Sequence, residues 1–322
     1  MSADDLLTAG FRALSARLGQ DPLRVQGPGG NTSVKNGEVM WIKASGTELA
    51  SAETDQIFVA VDRRAARAEA MGDGDGSCKD TVLDPEIGLR PSIETTFHAA
   101  LEYPVVVHTH SIATLVHAIS PEGTAALQDK LSGLPFVVVP YAKPGLPLTR
   151  EILNRVRAET QIIVLQNHGL IICGESVAEV AELTEQVEHL LKMPVLRGGG
   201  GTPEADAPDG FHWSDHGWMA QDPATCALIT AGSYYPDHVV FLGPALPVTD
   251  HEGTPPALIV PDQGILLCDT ATSSQRAMLQ CLSDVMSRLL SDWRAEPIGA
   301  EAEAALLNWD AEKYRQALAA RA

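Results

Sequence analysis

"PVVVHTH", residues 104–110, is the stretch on which the reading of this chain turns. Its valine run reads as a buried strand, and two histidines close it. In a strand, successive side chains point to opposite faces, so Val106, His108 and His110 project together while Thr109 points away. The two imidazoles then sit roughly 7 Å apart at Cα and can lean onto one ion. A second β-branched run, "QIIVLQNHG" (161–169), ends in His168 and offers a third ligand. Three histidines with one position left open make the arrangement of a catalytic metal site. On spacing alone, the plainer alternative of packed core histidines stays open.

The whole chain sets bounds on what such a site can serve. It has 322 residues, is 45% hydrophobic and 20% charged, and carries a formal charge of −19. That balance fits a soluble globular protein and argues against nucleic acid or an anionic membrane as partner. A small anion remains compatible, because a few local cations and backbone N–H groups suffice for one phosphate or carboxylate. The five cysteines, Cys78, Cys173, Cys226, Cys268 and Cys281, are widely spaced and form no C-x-x-C pair. They read as thiols of a reducing compartment, so a cytoplasmic location is expected. "MSADDLLTAGFRALSARLG" lacks the apolar block of a signal peptide, and no stretch is long and apolar enough for a membrane span.

Along the chain, Leu6, Leu7, Phe11, Leu14 and Leu18 predict an amphipathic helix over 3–19. "GPGGNTSV" reads as a turn-rich hinge, "VMWIKASG" and "QIFVAVD" as strands. "MGDGDGSCKD" reads as a loop; its D-x-D-G suggests calcium, but no downstream Glu completes an EF-hand. "PSIETTFHAAL" predicts a helix from Ser92. Ser176 and Glu179 form an S-x-x-E capping box opening a helix through Leu191. "RGGGGTPEADAPDG" is a flexible linker. The expected division is therefore a first module over 1–197, a linker over 198–210 and a tail module over 211–322. In the tail, "HVVFLG" and "ALIVPDQGILLCD" read as strands, followed by a helix over 272–290 and a final amphipathic helix. Strands and helices mix without a strict βαβ rhythm, which suggests α/β or α+β layers.

Five motifs occur in order: "GGNTSV" (29–34), "ASGT" (44–47), "PSIETTFH" (91–98), "HTHS" (108–111) and "NHGLIICG" (167–174). Together they resemble the class II aldolase/adducin family, over roughly residues 5 to 195. The tail is similar, more weakly, to the aldolase half of bifunctional rhamnulose-phosphate aldolase/dehydrogenases. The resemblance implies an α/β fold: three α/β/α layers around a central, mostly antiparallel sheet, here with a smaller α/β C-terminal module. It further implies a homotetramer and a zinc ion, or another divalent metal such as Mn2+ or Co2+. By the family pattern His108, His110 and His168 match the metal ligands and Glu94 the acid/base carboxylate. Physical chemistry agrees on the carboxylate, because aldol cleavage through an enediolate needs a cation for the oxyanion and a base beside it.

The same pattern assigns substrate-anion binding to Gly30, Asn31, Ser45, Gly46 and Ser92. "GPGGNTS" lacks the third glycine and the βαβ setting of a dinucleotide loop, and reads better as a nest of backbone donors. Ile93 departs from the sugar-phosphate aldolases, which commonly carry a second serine there. Lys43 could replace the missing donor or mark a carboxylate substrate. His98, four residues after Glu94, is expected beside the metal set and not in it. His117 and His189 read as structural, and His212, His216, His238 and His251 show no ligand spacing. Tyr141, Tyr234 and Tyr235 are candidates for a proton-donating tyrosine.

The expected activity is therefore a zinc-dependent carbon–carbon lyase, an aldolase working through a metal-stabilised enediolate. Its substrate is a small hydroxylated sugar phosphate or keto acid. A decarboxylase, 4-epimerase or dehydratase could use the same metal site. The rival from another class is a non-catalytic adducin-like scaffold, against which the intact histidines argue.

Overall fold

The computed structural model describes residues 6–248 and 254–320. His251 lies outside the described residues, as do the first three positions of the expected opening helix. Seven strands form the main sheet: β1 (Asn31–Lys35), β2 (Val39–Lys43), β3 (Phe58–Asp62), β4 (Val105–Thr109), β5 (Phe136–Val139), β6 (Ile162–Leu165) and β7 (Gly169–Gly174). Their order is β3-β2-β1-β4-β7-β6-β5, antiparallel throughout except for the parallel pair β5–β6. A second sheet joins β8 (Phe211–Trp213), β9 (Ala257–Val260) and β10 (Gly264–Cys268) in the antiparallel order β8-β10-β9.

β4 sits at the middle of the main sheet, and its valines serve both faces. Val105 and Val107 pack with Phe11, Leu14 and Leu18 of the helix Ala9–Gln20 and with Val180 and Val187 of the helix Val177–Leu191. Val106 faces the other way, onto Phe97, Ile163 and Ile171. Covered on both sides, the strand needs no polar alternation until it reaches its end. That alternation delivers His108 to the face of Phe97, whose ring it meets edge-on at 5.9 Å.

Several local expectations are revised. "NTSVK" is not a hinge but the fully buried strand β1, paired on both sides by β2 and β4. "HVVFLG" is not a strand: Pro236–Leu242 is a buried helix with Pro236 in its first turn, where proline's missing N–H costs nothing. The helix after "PSIE" is Thr95–Ala100, so Glu94 is its N-cap residue and not part of its body. Ser176 caps its helix as expected, but Glu179 accepts from the Glu175 N–H, one residue short of the reciprocal bond. β5 was not expected at all. The linker carries no regular structure until Phe211, yet Gln221 Nε2 holds the Gly201 carbonyl and Trp213 Nε1 that of Ala205.

The C-terminal core gathers Met219, Ile229, Tyr234, Tyr235, Met278 and Leu282 with Ile112, Leu115, Val116 and Ile119. The last four belong to the helix Ile112–Ala118 and its C-cap, which starts two residues after His110. This core also buries His117, whose ring meets that of Trp293 edge-on at 5.1 Å, and His238. Burial pulls His117 down to about 4 and His238 to about 3, so both are neutral in the folded chain.

A pH dependence follows. Below about 6.5 the unfolded chain binds protons that these buried imidazoles refuse, so stability falls as pH falls. His98, His108 and His168 act in the same direction. Glu188 and Glu312, whose carboxyls burial raises, oppose them. With imidazoles outnumbering the raised carboxyls, urea unfolding of metal-free protein should show a lower midpoint at pH 5.0 than at 6.5. A midpoint that rises on acidification would refute this assignment.

Candidate functional site

Three loops and one strand end converge on the face of the sheet that carries Phe97. β4 presents His108, and His110 follows directly after it. His168 comes from the tight turn between β6 and β7, where Asn167 adopts φ +52. Asn167 is tied down by Nδ2 bonds to the carbonyls of Tyr234 and Glu296, at 3.0 and 2.9 Å. That left-handed residue, a conformation asparagine tolerates well, reverses the chain and aims His168 back over the sheet. Glu94 enters from the start of the helix Thr95–Ala100.

All four side chains are buried. One ligand atom from each of His108, His110 and His168 lies within 4.8 Å of the other two. No other group of three or more His, Cys, Asp or Glu side chains converges in this way among the described residues, so the D-x-D-G loop forms no such cluster. Glu94 faces the trio: Oε2 is 3.4 Å from His108 Nε2 and Oε1 is 3.5 Å from His168 Nε2. The His108 Nδ1–H donates to the Leu170 carbonyl at 3.0 Å, which leaves Nε2 as the lone-pair side. Among the described residues His108 Nε2 and Glu94 Oε1 are buried without a hydrogen-bond partner. Orphaned atoms of this kind are costly, and a divalent cation among them would satisfy imidazole lone pairs and carboxylate together. The donor set therefore fits a metal.

Electrostatics prepares the same outcome. Burial alone would raise the Glu94 carboxyl, but His108, His168 and a hydrogen bond from Asn31 hold it below its ordinary value. Burial pulls His168 down to about 3 and lowers His108 as well, leaving neutral, ligating imidazoles. Asn31 Nδ2 donates to Glu94 Oε2 at 2.8 Å and to Ser92 Oγ at 3.2 Å. Its Oδ1 is taken by His98 Nε2, while His98 Nδ1 meets Ser33 Oγ at 2.7 Å. Burial keeps His98 neutral, so its one N–H points at Asn31 and thereby fixes the amide's donor end on Glu94. His98 thus stands behind the carboxylate, outside the trio.

Gly30, Asn31, Ser45, Gly46 and Ser92 line one pocket with Glu94, His110 and His168. Gly30 has φ +58, and a Cβ there would meet the His108 carbonyl at 2.8 Å, so only glycine brings the loop this close. Lys43 lines the pocket too, but its ammonium is spent on the carbonyls of Pro28 and Thr47, and burial draws it down to about 7. Ile93 also reaches this wall.

The residues that sequence reasoning missed come from the C-terminal module. Asp237 Oδ2 lies 3.2 Å from His110 Nδ1. Arg315 donates to Asp237 Oδ1 at 3.0 Å and to Glu312 Oε2 at 2.9 Å. All three are buried and line the same pocket. Burial would raise the Asp237 carboxyl, yet Arg315 and His110 hold it well below its ordinary range. Leu318, on the same terminal helix (Asp310–Ala319) as Glu312 and Arg315, sits against Gly46. Of the tyrosines, Tyr234 and Tyr235 are buried in the C-terminal core, Tyr234 bonded to the Leu228 carbonyl. Tyr141 is half-buried beside Glu312, its hydroxyl lifted to about 12 by burial. The remaining histidines stand apart, His189 exposed and His212 on Asp269 at the surface.

Comparison with known proteins accords with this geometry. The family model of the class II aldolase and adducin N-terminal domain matches residues 13–195. An uncharacterized oxidoreductase of Bacillus subtilis, YuxG, is 33% identical over 178 residues, 49% of this chain and 25% of its own length. A 3-oxo-tetronate 4-phosphate decarboxylase of Escherichia coli K12 is 32% identical over 125 residues, 34% of this chain and 58% of its own. An L-fuculose phosphate aldolase of Haemophilus influenzae is 28% identical over 178 residues, 51% of this chain and 71% of its own. The chain thus spans from a quarter to somewhat over half of the first two relatives. Among solved structures, the N-terminal class II aldolase domain of a conserved Thermoplasma acidophilum protein superposes with a TM-score of 0.50 at 29% identity, covering 57% of this chain and 92% of that one. That family model matches more than half of the sequence, and the chain belongs to the class II aldolase and adducin family.

Proposed function

We propose that this protein is a metal-dependent carbon–carbon lyase acting on a small hydroxylated sugar phosphate or keto acid. The observation that carries the reading is the placement of the Glu94 carboxylate within 3.5 Å of two of the three converging imidazoles. His108, His110 and His168 would hold the metal, and a set of three imidazoles favours Zn2+, with Mn2+ or Co2+ as alternatives. The cation, when bound, supplies Lewis acidity to a substrate carbonyl and its neighbouring hydroxyl.

The chain's own residues do the rest. Glu94 takes or returns the proton at the carbon beside the carbonyl, with its free Oε1 as the reacting oxygen. Asn31, locked by His98, keeps Oε2 occupied, so the carboxylate cannot swing away. Ser45 and Ser92 offer hydroxyls, and Gly46 its backbone N–H, to substrate oxygens at the pocket wall; the N–H groups of Ser45 and Ser92 are given to the carbonyls of Arg90 and Lys43. Asp237 and Arg315 support His110 from behind. A homo-oligomer, by resemblance a tetramer, in the cytoplasm completes the reading.

Decarboxylation is the second reading, favoured by the decarboxylase relatives at 32–33% identity. The two separate in one screen of phosphorylated and unphosphorylated ketoses and keto acids, scored for released aldehyde and released carbon dioxide. Elemental analysis of purified protein should find about one divalent metal per chain, lost in His108→Ala. Protein without stoichiometric metal, or with metal undiminished in that variant, would refute the lyase.

A further inference from the structure

The pocket at the histidines leaves about 30 Å³ free, enough for a water or two. A substrate larger than its chelating atoms must extend elsewhere. Adjoining it, and sharing Ser45, Ile93 and Pro144, lies a cavity of about 680 Å³, the size of a small-molecule site.

The charge of that cavity runs against the composition. Lys79, Arg90, Lys143 and Arg150 line it against a single carboxylate, Asp75, in a chain with 23 basic and 42 acidic residues. Among the described residues none of the four cations makes an ion pair. Asp75 is engaged with its own loop, accepting the Ser77 N–H at 2.8 Å. Arg90 lies over the Tyr314 ring at 4.2 Å and Lys143 over the Trp309 ring at 4.4 Å. Such stacking restrains a charged head without cancelling its charge. The wall is closely fitted: Gly76, at φ +80, leaves no room for a Cβ, which would come within 2.9 Å of Leu146. By contrast, the wall near Gly46 is covered by Leu318, and the cations of the histidine pocket are engaged, Arg315 by Asp237 and Glu312 and Lys43 by the carbonyls of Pro28 and Thr47.

We propose that the cavity lined by Lys79, Arg90, Lys143 and Arg150 is a second anion site, and that it receives a phosphate group on the far end of the substrate. The order of the two sites rests on the lyase reading, in which chemistry occurs at the histidines. Guanidinium forks and ammonium heads in excess over carboxylates match a dianionic phosphate better than a single carboxylate.

The test uses metal-free full-length protein, so that no ion competes for the probe. Inorganic phosphate and acetate are titrated by calorimetry into wild type and into the double variant Arg90→Gln/Arg150→Gln. Phosphate should bind saturably and more tightly than acetate, with its Kd raised at least about tenfold in the double variant and by added salt. Arg64→Gln, which removes a surface cation paired with Glu38, should leave the Kd unchanged. Thermal melts check that each variant is folded; should the double variant fail, Lys143→Gln serves in its place. Absent saturable binding, acetate binding as tightly as phosphate, or an unaltered Kd in the variants would overturn the proposal. Metal content measured on each protein as purified, before the metal is stripped for the titration, keeps the readings apart, since missing metal at that stage refutes the lyase and leaves the phosphate result standing.

Discussion

Glu94→Gln is expected to keep its full complement of metal and to lose turnover by about 10²–10⁴-fold, the usual worth of a positioned general acid–base. Glutamine matches glutamate in size, so its carbonyl can still accept from Asn31 Nδ2, which lies 2.8 Å from Oε2. The three histidines draw their orientation from elsewhere: His108 from the Leu170 carbonyl, His110 from beside Asp237, His168 from the turn at Asn167. What disappears is the ability to take up and return a proton. Metal content by elemental analysis and kcat on any substrate found in the screen are the two measurements. Turnover within about threefold of wild type would remove Glu94 from the chemistry.

Arg315→Ala is expected to lower folding stability by about 3–5 kcal/mol, the range seen when one partner of a buried ion pair is removed. The guanidinium is buried between Asp237 and Glu312, so its loss strands two carboxylates without a counter-charge. Adding Glu312→Gln should restore part of the loss, because neighbouring charges are not additive. Urea unfolding of both variants gives the numbers. A drop below about 1 kcal/mol would mean that water reaches the cluster and that it is not a buried triad. Since Asp237 stands beside His110, the single variant should also release metal at lower chelator concentrations than wild type.

Much of this site was legible because short-range rules govern it. The period of a strand places Val106 and His108 on one face whatever surrounds them, and an apolar run that stops at two histidines marks them as candidate ligands. β1 was not legible: Asn31, Thr32 and Ser33 have turn chemistry, and only pairing with β2 and β4 makes them extended. "HVVFLG" failed for the reverse reason, as β-branched residues became helical inside an apolar core where packing outweighs propensity. Proline at 236 was the available signal. Asp237 and Arg315 had none, since no spacing rule links position 110 to positions 237 and 315. Their role exists only once the two ends of the chain meet.

The helix Ile112–Ala118 gives Ile112, Leu115 and Val116 to the C-terminal core and Ala118 to the core around Val105 and Val107, and it leaves His110 by a single intervening residue. Cutting the gene in the glycine-rich stretch would therefore not release a self-sufficient front half. The fragment would show Ile112, Leu115, Val116 and Ile119 to water, invite self-association, and leave one imidazole without its acidic neighbour. For protein engineering, the visible seam is the wrong place to cut.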